Sequence, residues 1–263
     1  MLKKLLRYDL KFLFRYWWIV TLASVPASVA GGWAISLINK EDVTVAQGIA
    51  AIVGVIVAIF AIAAVIIMPI VLVVIRFYKN LYSDEGYLTF TLPVTRTELL
   101  NSKVVSAFTV QLASTLVIFV DLILFILVAG LDVKEAMLVQ YKFSPSHLVI
   151  GLEGIILLAL SILSSTMILY VCISLGAMIA KKHKVLAAVG IYYFAGGFIA
   201  GLFEMMISFS SSILLEMFTY GIEAKYVLLV ALGIVPWLLM TAAIIVGMYT
   251  LVHWIMDRKL NLS

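Results

Sequence analysis

Residues 45–75 have the sequence VAQGIAAIVGVIVAIFAIAAVIIMPIVLVVI, a run without a single Asp, Glu, Lys or Arg. A helix needs about 20 predominantly apolar residues to cross the hydrocarbon core of a bilayer, and this run is longer. Pro69 lies within it and predicts a kink, because proline removes a backbone donor and its ring clashes with the preceding turn. The run therefore predicts a transmembrane helix.

The composition of the whole chain agrees with this prediction. Of its 263 residues, 65% are hydrophobic and 12% are charged, and the mean hydropathy is +1.19. An ordinary soluble domain has about 45–50% apolar and about 25% charged residues. We therefore expect an all-α integral membrane protein with six transmembrane helices. The six apolar runs are Trp17–Ile38, Val45–Ile75, Val104–Gly130, Leu148–Ala180, Val185–Phe203 and Tyr226–Ile255.

Lys and Arg are distributed unequally between the two sides that six crossings would create. One side has Lys3, Lys4, Arg7, Lys11, Arg15, Arg76, Lys79, Arg96, Lys103, Lys181, Lys182, Lys184, Arg258 and Lys259. The other side has only Lys40, Lys134, Lys142 and Lys225. Since cytoplasmic loops carry the excess of basic residues, the distribution predicts a multi-pass protein with both termini in the cytoplasm.

The first 16 residues form a second pattern. Four basic residues recur at every fourth position: Lys3, Arg7, Lys11 and Arg15. Leucines occupy much of the remaining helix surface, so residues 1–16 predict an amphipathic helix that anchors on an anionic membrane surface, separate from a transmembrane domain over residues 17–263. Alternatives are a signal peptide cleaved near Ser28–Ala30, or basic residues that only set the topology. The pattern does not indicate nucleic-acid binding.

Between the second and third runs, residues 83–103 have the sequence SDEGYLTFTLPVTRTELLNSK. Ser83 is a candidate N-cap for a short helix, which Pro93 should end because the residue before a proline disfavours helical geometry. Thr95 and Glu98 have the spacing of a capping box that begins the next helix. The segment therefore predicts helix, turn and helix, and serves either as a contact site for another protein or as an amphipathic linker.

The same segment resembles the cytoplasmic loop of ABC-2 type permeases, the membrane subunits of bacterial ATP-binding-cassette exporters. In that family an acidic-Gly-Tyr-Leu stretch and a Leu-Pro-Val turn form the coupling helix, which docks on the ATPase subunit. Residues 1–16 are similar to the family's elbow helix, and residues 258–262 are similar to its C-terminal tail. The resemblance implies that the ATPase contact comprises Asp84, Glu85, Gly86, Tyr87, Leu88, Phe90, Leu92 and Pro93.

The resemblance also implies partners. The chain has no GxxxxGK[ST] motif to cradle nucleotide phosphates, so we expect it not to be an enzyme by itself, with ATP and Mg bound by a separate subunit. We expect two copies of that ATP-binding subunit and a second permease, either identical or related, in the bacterial plasma membrane. The implied function is outward transport of an amphipathic or hydrophobic substrate, with a peptide favoured over a drug or lipid.

Three acidic residues lie in or beside the predicted spans: Asp121, Glu153 and Glu204. Charges are costly inside a membrane, so such residues face the bundle or a watery path. They are candidates for the substrate pathway, and the alternatives are a packing hydrogen bond for Asp121 and an interfacial position for the two glutamates. Residues 205–224 predict an extracellular or re-entrant segment, because serines interrupt their apolar run.

Other classes are less well supported. An intramembrane enzyme would need a nucleophile with a base or a metal motif, and the chain has neither GxSxG nor HExxH. No metal site is expected, and Cys172 is the only cysteine, so no internal disulfide can form. A membrane substrate-binding subunit of an energy-coupled uptake system and a non-transport scaffold remain alternatives. A secondary transporter should show repeated halves, which the sequence lacks.

Overall fold

A computed structural model describes residues 2–38, 44–83, 85–91, 93–131, 146–180, 183–198, 201, 205 and 224–258. Within these ranges the regular structure is entirely helical. The helices are α1 (Leu2–Ile38), α2 (Val45–Tyr82), α3 (Glu85–Phe90), α4 (Arg96–Ala129), α5 (Ser146–Ile179), α6 (Lys184–Ile191) and α7 (Ala224–Arg258), and a π-helical turn (Tyr192–Gly196) follows α6.

Five of these helices are long and apolar enough to cross a membrane: α1, α2, α4, α5 and α7. The prediction of an all-α, multi-pass architecture is confirmed to that extent. The fifth predicted run, Val185–Phe203, coincides with a shorter apolar helical segment, Lys184–Phe194, and ends partly outside the described residues. The structure therefore does not confirm six spans. Helix α2 continues through Pro69, which lies inside it.

Helix α1 continues without a break past residue 16 and ends only at Ile38. The predicted boundary between an elbow helix and the transmembrane domain is therefore not a helix end, and the structure does not confirm a separate elbow. The four anchoring residues of the prediction are all exposed on this helix: Lys3, Arg7, Lys11 and Arg15.

The chain divides into two compact units. The first, which we call the α1–α2 unit, comprises Arg7–Val73 and Thr109–Gln140. The second, which we call the α5–α7 unit, comprises Met1–Leu6, Val74–Phe108 and Tyr141–Ser263.

Small residues bring the helices of the α1–α2 unit close together. A Cβ added to Gly31 would lie 2.6 Å from the Cβ of Ala58, and one added to Gly54 would lie 2.5 Å from the Cβ of Ala34. The order of these contacts makes α1 and α2 antiparallel. Small residues at helix contacts are typical of membrane proteins, where van der Waals packing replaces the hydrophobic driving force between helices.

Aromatic stacking and a close glycine contact hold the α5–α7 unit together. The rings of Phe77 in α2 and Tyr170 in α5 are stacked, with centroids 3.8 Å apart and planes 9° from parallel. Helix α5 also packs against α6 and α7. A Cβ added to Gly176 would lie 2.5 Å from the backbone nitrogen of Ala188, so α6 lies directly on α5 at this point.

The direction of the helices in this unit follows from paired contacts. Phe77 contacts Tyr170 and Tyr82 contacts Ser174, so the end of α2 runs parallel to α5. The Tyr249 hydroxyl donates to Asn101 Oδ1 across 2.7 Å, while Arg96 contacts Asp257, so α4 and α7 are antiparallel. The last residues of α2 and α7 and the first residues of α4 therefore lie at one end of the unit, where α3 is found.

Candidate functional site

The candidate site is the segment of residues 83–98, which we call the α3 segment. Its helix spans six residues, Glu85–Phe90, and helices this short are unstable in isolation. Local bonds support it: Gly86 N donates to Ser83 O across 2.8 Å, and Thr89 Oγ1 donates to Glu85 O across 2.9 Å. The Ser83 hydroxyl, expected to cap α3, donates instead to the carbonyl of Lys79 in α2.

The turn and the second helix form as predicted. Helix α3 ends at Phe90, ahead of Pro93. Thr95 N donates to Glu98 Oε2 across 3.2 Å, and Glu98 N donates to Thr95 Oγ1 across 3.2 Å. This reciprocal pair is a capping box. It satisfies two backbone donors at the start of α4, so the direction of the chain after the turn is fixed locally.

Gly86 is buried against the end of α2. A Cβ at this position would lie 2.8 Å from the carbonyl oxygen of Leu81, a distance that real side chains do not adopt. The resemblance places this glycine in the contact with an ATPase, where the lack of a side chain would allow a partner's backbone to come close. In the structure the space beside it is filled by the chain's own backbone, so the glycine sets how closely α3 folds back onto α2.

Tyr82 anchors the beginning of the α3 segment. Its side chain is only 4% exposed, and its hydroxyl donates to Ser174 Oγ in α5 across 2.7 Å. Its carbonyl, at the C-terminus of α2, accepts a hydrogen bond from Lys184 Nζ at the start of α6 across 3.3 Å. A cation at a helix C-terminus is favourable because the last carbonyls are unpaired and partially negative. The end of α2 is thereby tied to two other helices.

Arg96 anchors the other end of the segment. Its guanidinium donates to the carbonyl of Met256 and to Asp257 Oδ1, the latter across 3.2 Å. His253 Nδ1 lies 3.0 Å from the other carboxylate oxygen of Asp257. The Arg96 guanidinium carbon also lies 5.9 Å from the ring centroid of Phe90. The exit from α3 is thereby tied to the last turns of α7.

Between the two anchors, one face of the segment is exposed. Leu88 is 67% exposed, and Glu85 and Pro93 are exposed as well. Of the eight residues predicted to contact an ATPase, these three are accessible, Gly86 is buried and Phe90 is half-buried. Asp84, Leu92 and the side chain of Tyr87 lie outside the described residues. The accessible part of the predicted contact therefore combines the apolar side chains of Leu88 and Pro93 with the acidic side chain of Glu85.

Asp121 lies in the α1–α2 unit and is fully buried, with 0% of its surface exposed. Ser28 Oγ in α1 lies 3.3 Å from its Oδ1 and also 2.8 Å from the carbonyl of Val25. Among the described residues, Oδ2 of Asp121 has no hydrogen-bond partner. The contact joins α4 to α1, as does the bond from Trp17 Nε1 to Ser114 Oγ, 2.7 Å long.

The other two residues predicted for the pathway are Glu153 and Glu204. Glu153 is buried near the start of α5 and belongs to the α5–α7 unit. Glu204 and residues 206–223 lie outside the described residues. In the described part of the chain, no group of three or more His, Cys, Asp and Glu side chains could hold a metal ion.

Several anchoring residues were missed by the sequence analysis. The sequence pattern indicates for Lys184 and Arg96 only charges that set the topology, and it indicates no role for His253. His253 and Asp257 are four residues apart in a helix, and this spacing is a signal from which their contact could have been predicted.

No family model, curated protein or solved structure matches this chain.

Proposed function

We propose that this protein is the membrane subunit of an ATP-binding-cassette exporter of the ABC-2 type, and that the α3 segment is the surface on which a separate ATPase subunit docks. The observation that carries the proposal is the anchoring of α3 at both ends, through Tyr82 and Arg96, with Leu88 and Glu85 exposed between them. A flexible linker would not need such anchors.

The anchors suit the transmission of force. A short helix that hinges freely would absorb a displacement, whereas α3 is tied to α5 and α6 at one end and to α7 at the other. Leu88 offers a partner an exposed apolar side chain, and Glu85 adds an acidic group at the rim of that contact. A partner surface with an apolar pocket beside a Lys or Arg would complement this pair.

Six crossings are supported by the ends of the helices. Lys184 contacts Tyr82 at the α3 end of the unit, where α7 also ends. Helix α7 runs 35 residues from Ala224, about 52 Å at 1.5 Å per residue, so it begins at the opposite end. From these two positions we infer that the chain crosses the membrane once between Lys184 and Ala224, in addition to the five long helices.

In this proposal ATP and Mg are bound by two copies of the partner ATPase, and a second permease chain, identical or related, completes the transporter. The α3 end faces the cytoplasm, and the protein resides in the bacterial plasma membrane. The low charge of the spans supports an amphipathic or hydrophobic cargo, with a peptide favoured over a drug or a lipid. Asp121 and Glu153 are the buried acidic residues available to a pathway.

The test is affinity purification of the tagged chain from native membranes in mild detergent, with identification of the soluble chains that accompany it. We expect a Walker-motif ATPase in stoichiometric amount from the wild type, and at least a tenfold loss with Leu88→Asp. The matched control is Leu131→Asp, which places the same charge on an exposed leucine after the far end of α4. Absence of an ATPase from the folded wild type, or equal recovery with both variants, would overturn the proposal.

A further inference from the structure

The positive charge of Arg96 lies at the N-terminus of α4, a position that is unfavourable for a cation. Arg96 is the first residue of α4, and the N-terminus of a helix has a partial positive charge that destabilises a cation. Glu98, in the same turn, has the favourable sign and completes the capping box. Since Arg96 is not needed to begin α4, its charge is best explained by its contacts with other helices.

Those contacts are at the C-terminus of α7. Helix α7 ends at Arg258, so the carbonyl of Met256 is among the last four, which have no partner within the helix. Arg96 donates to this carbonyl and to Asp257 Oδ1. His253 Nδ1, 3.0 Å from the second oxygen of Asp257, holds the carboxylate in place. The cation is therefore placed at the negative end of α7.

A third contact reaches α3. The guanidinium carbon of Arg96 lies 5.9 Å from the ring centroid of Phe90, within the range of a cation–π interaction. Phe90 is the last residue of α3. A single side chain rooted in α4 therefore contacts both the end of α3 and the last turn of α7.

We propose that Arg96 is a positioning residue that fastens α3 to the C-terminal turn of α7, so that a displacement of α3 reaches α7 as well as α2 and α4. The inference rests on the proposed function for the source of the displacement, which is the docked ATPase. Because the side chains of Arg96 and Asp257 are each 40% exposed, their ion pair is screened by water and contributes little to global stability. Its effect is local.

The test is hydrogen–deuterium exchange of the full chain in nanodiscs of phosphatidylcholine and phosphatidylglycerol, without any ATPase. We expect the α3 amides to exchange about five- to tenfold faster in Arg96→Met and in Asp257→Asn, which corresponds to a local loosening. Arg96→Lys should restore part of the protection, because it keeps the charge but loses the fork of donors. Thr97→Ala, an exposed neighbour in the same turn, is the matched control.

The decisive measurement is the exchange of the α3 amides in Asp257→Asn. This substitution is made in α7, so it can loosen α3 only if α3 is fastened to α7. Unchanged α3 exchange in both Arg96→Met and Asp257→Asn would overturn the inference. Faster exchange in every helix, together with a lower melting temperature of the protein, would also overturn the inference. That result would show that Arg96 stabilises the whole fold and not α3 in particular. No ATPase takes part in this measurement, so the two failures are distinguishable. Unchanged α3 exchange would remove the fastening by Arg96 whether or not an ATPase co-purifies, and the absence of a co-purified ATPase would leave the fastening of α3 standing.

Discussion

The hydroxyl of Tyr82 donates a hydrogen bond to Ser174 Oγ across 2.7 Å, and this contact begins a chain of bonds through three helices. Ser174 Oγ donates to the carbonyl of Tyr170, one turn earlier in α5, across 2.7 Å. The Tyr170 hydroxyl in turn donates to the carbonyl of Lys103 in α4 across 3.2 Å. The helices that flank the α3 segment, α2 and α4, are therefore both bonded to α5.

The two partners of the Tyr82 bond should respond differently to truncation. Tyr82→Phe removes a donor while Ser174 keeps its bond to Tyr170, so we expect a loss of about 1 kcal/mol in the free energy of unfolding. Ser174→Ala leaves the buried Tyr82 hydroxyl without this acceptor, and we expect a loss of about 1–3 kcal/mol. Denaturant unfolding in detergent measures both. Tyr193→Phe, on a side chain that is exposed, should change nothing; equal effects in all three variants would contradict the structure.

Gly86 and Gly190 provide a matched pair of glycines within helices. Ala is the better helix former by roughly 0.5–1 kcal/mol, so Gly190→Ala, which meets no atom within 4 Å, should stabilise the protein. Gly86→Ala would place a Cβ 2.8 Å from the Leu81 carbonyl oxygen, so α3 must move away from α2. We expect a loss of about 1–3 kcal/mol from overpacking, together with weaker recovery of the ATPase. Thermal unfolding compares the two variants, and a stabilising Gly86→Ala would show that α3 is not held against α2.

The parts of this fold that sequence could predict depend on nearby residues. The apolar run from Val45 predicts a long helix by composition alone, and Pro93 with the Thr95 and Glu98 pair specifies helix, turn and helix within a few positions. Helix α1 passes from the predicted elbow segment into the predicted span at Trp17 without ending. No glycine or proline separates the basic segment from the span that starts at Trp17, so nothing in the backbone ends the helix there.

The anchors of the candidate site could not be predicted, because they join residues far apart in the chain. Arg96 and Asp257 are 161 positions apart, and Lys184 and Tyr82 are 102 apart. Which lysine or arginine meets which helix end depends on how the helices pack, and the sequence pattern of a uniformly apolar span does not specify that. The sequence therefore identifies the α3 segment but not what holds it.

The sidedness of the α3 segment can be tested with cysteine labelling in intact cells. Cys172 is the only cysteine and is buried, so it should stay unreactive in the folded protein and need not be removed. If α3 faces the cytoplasm, Thr91→Cys will react with a permeant maleimide but not with an impermeant one, and Leu131→Cys will react with both. Both positions are exposed in the structure. Labelling of Thr91→Cys by the impermeant reagent in sealed cells would reverse the orientation inferred from the basic residues.

Substitutions at the contact between Asp121 and Ser28 can distinguish whether Asp121 serves helix packing or transport. Asp121→Asn keeps a group that can bond to Ser28 and removes an ionisable residue from a candidate span, where such a residue costs about 2.5–3.5 kcal/mol on insertion scales. We expect the variant to unfold at the same or a higher denaturant concentration than the wild type. If the carboxylate serves transport, ATP turnover by the complex reconstituted in nanodiscs should nevertheless change severalfold.

Ser28→Ala is the comparison that makes this result interpretable. It removes the described hydrogen-bond partner of a fully buried carboxyl group, so we expect a loss of about 1–3 kcal/mol in the free energy of unfolding. In the background of Asp121→Asn the same substitution should cost less, and a double-mutant cycle measures the difference. A large coupling with unchanged ATP turnover in Asp121→Asn would make Asp121 a residue that packs α4 against α1. A small coupling with altered turnover would place the carboxylate in the transport step, since a group that contributes little to folding but much to turnover acts on something other than its own helix contacts.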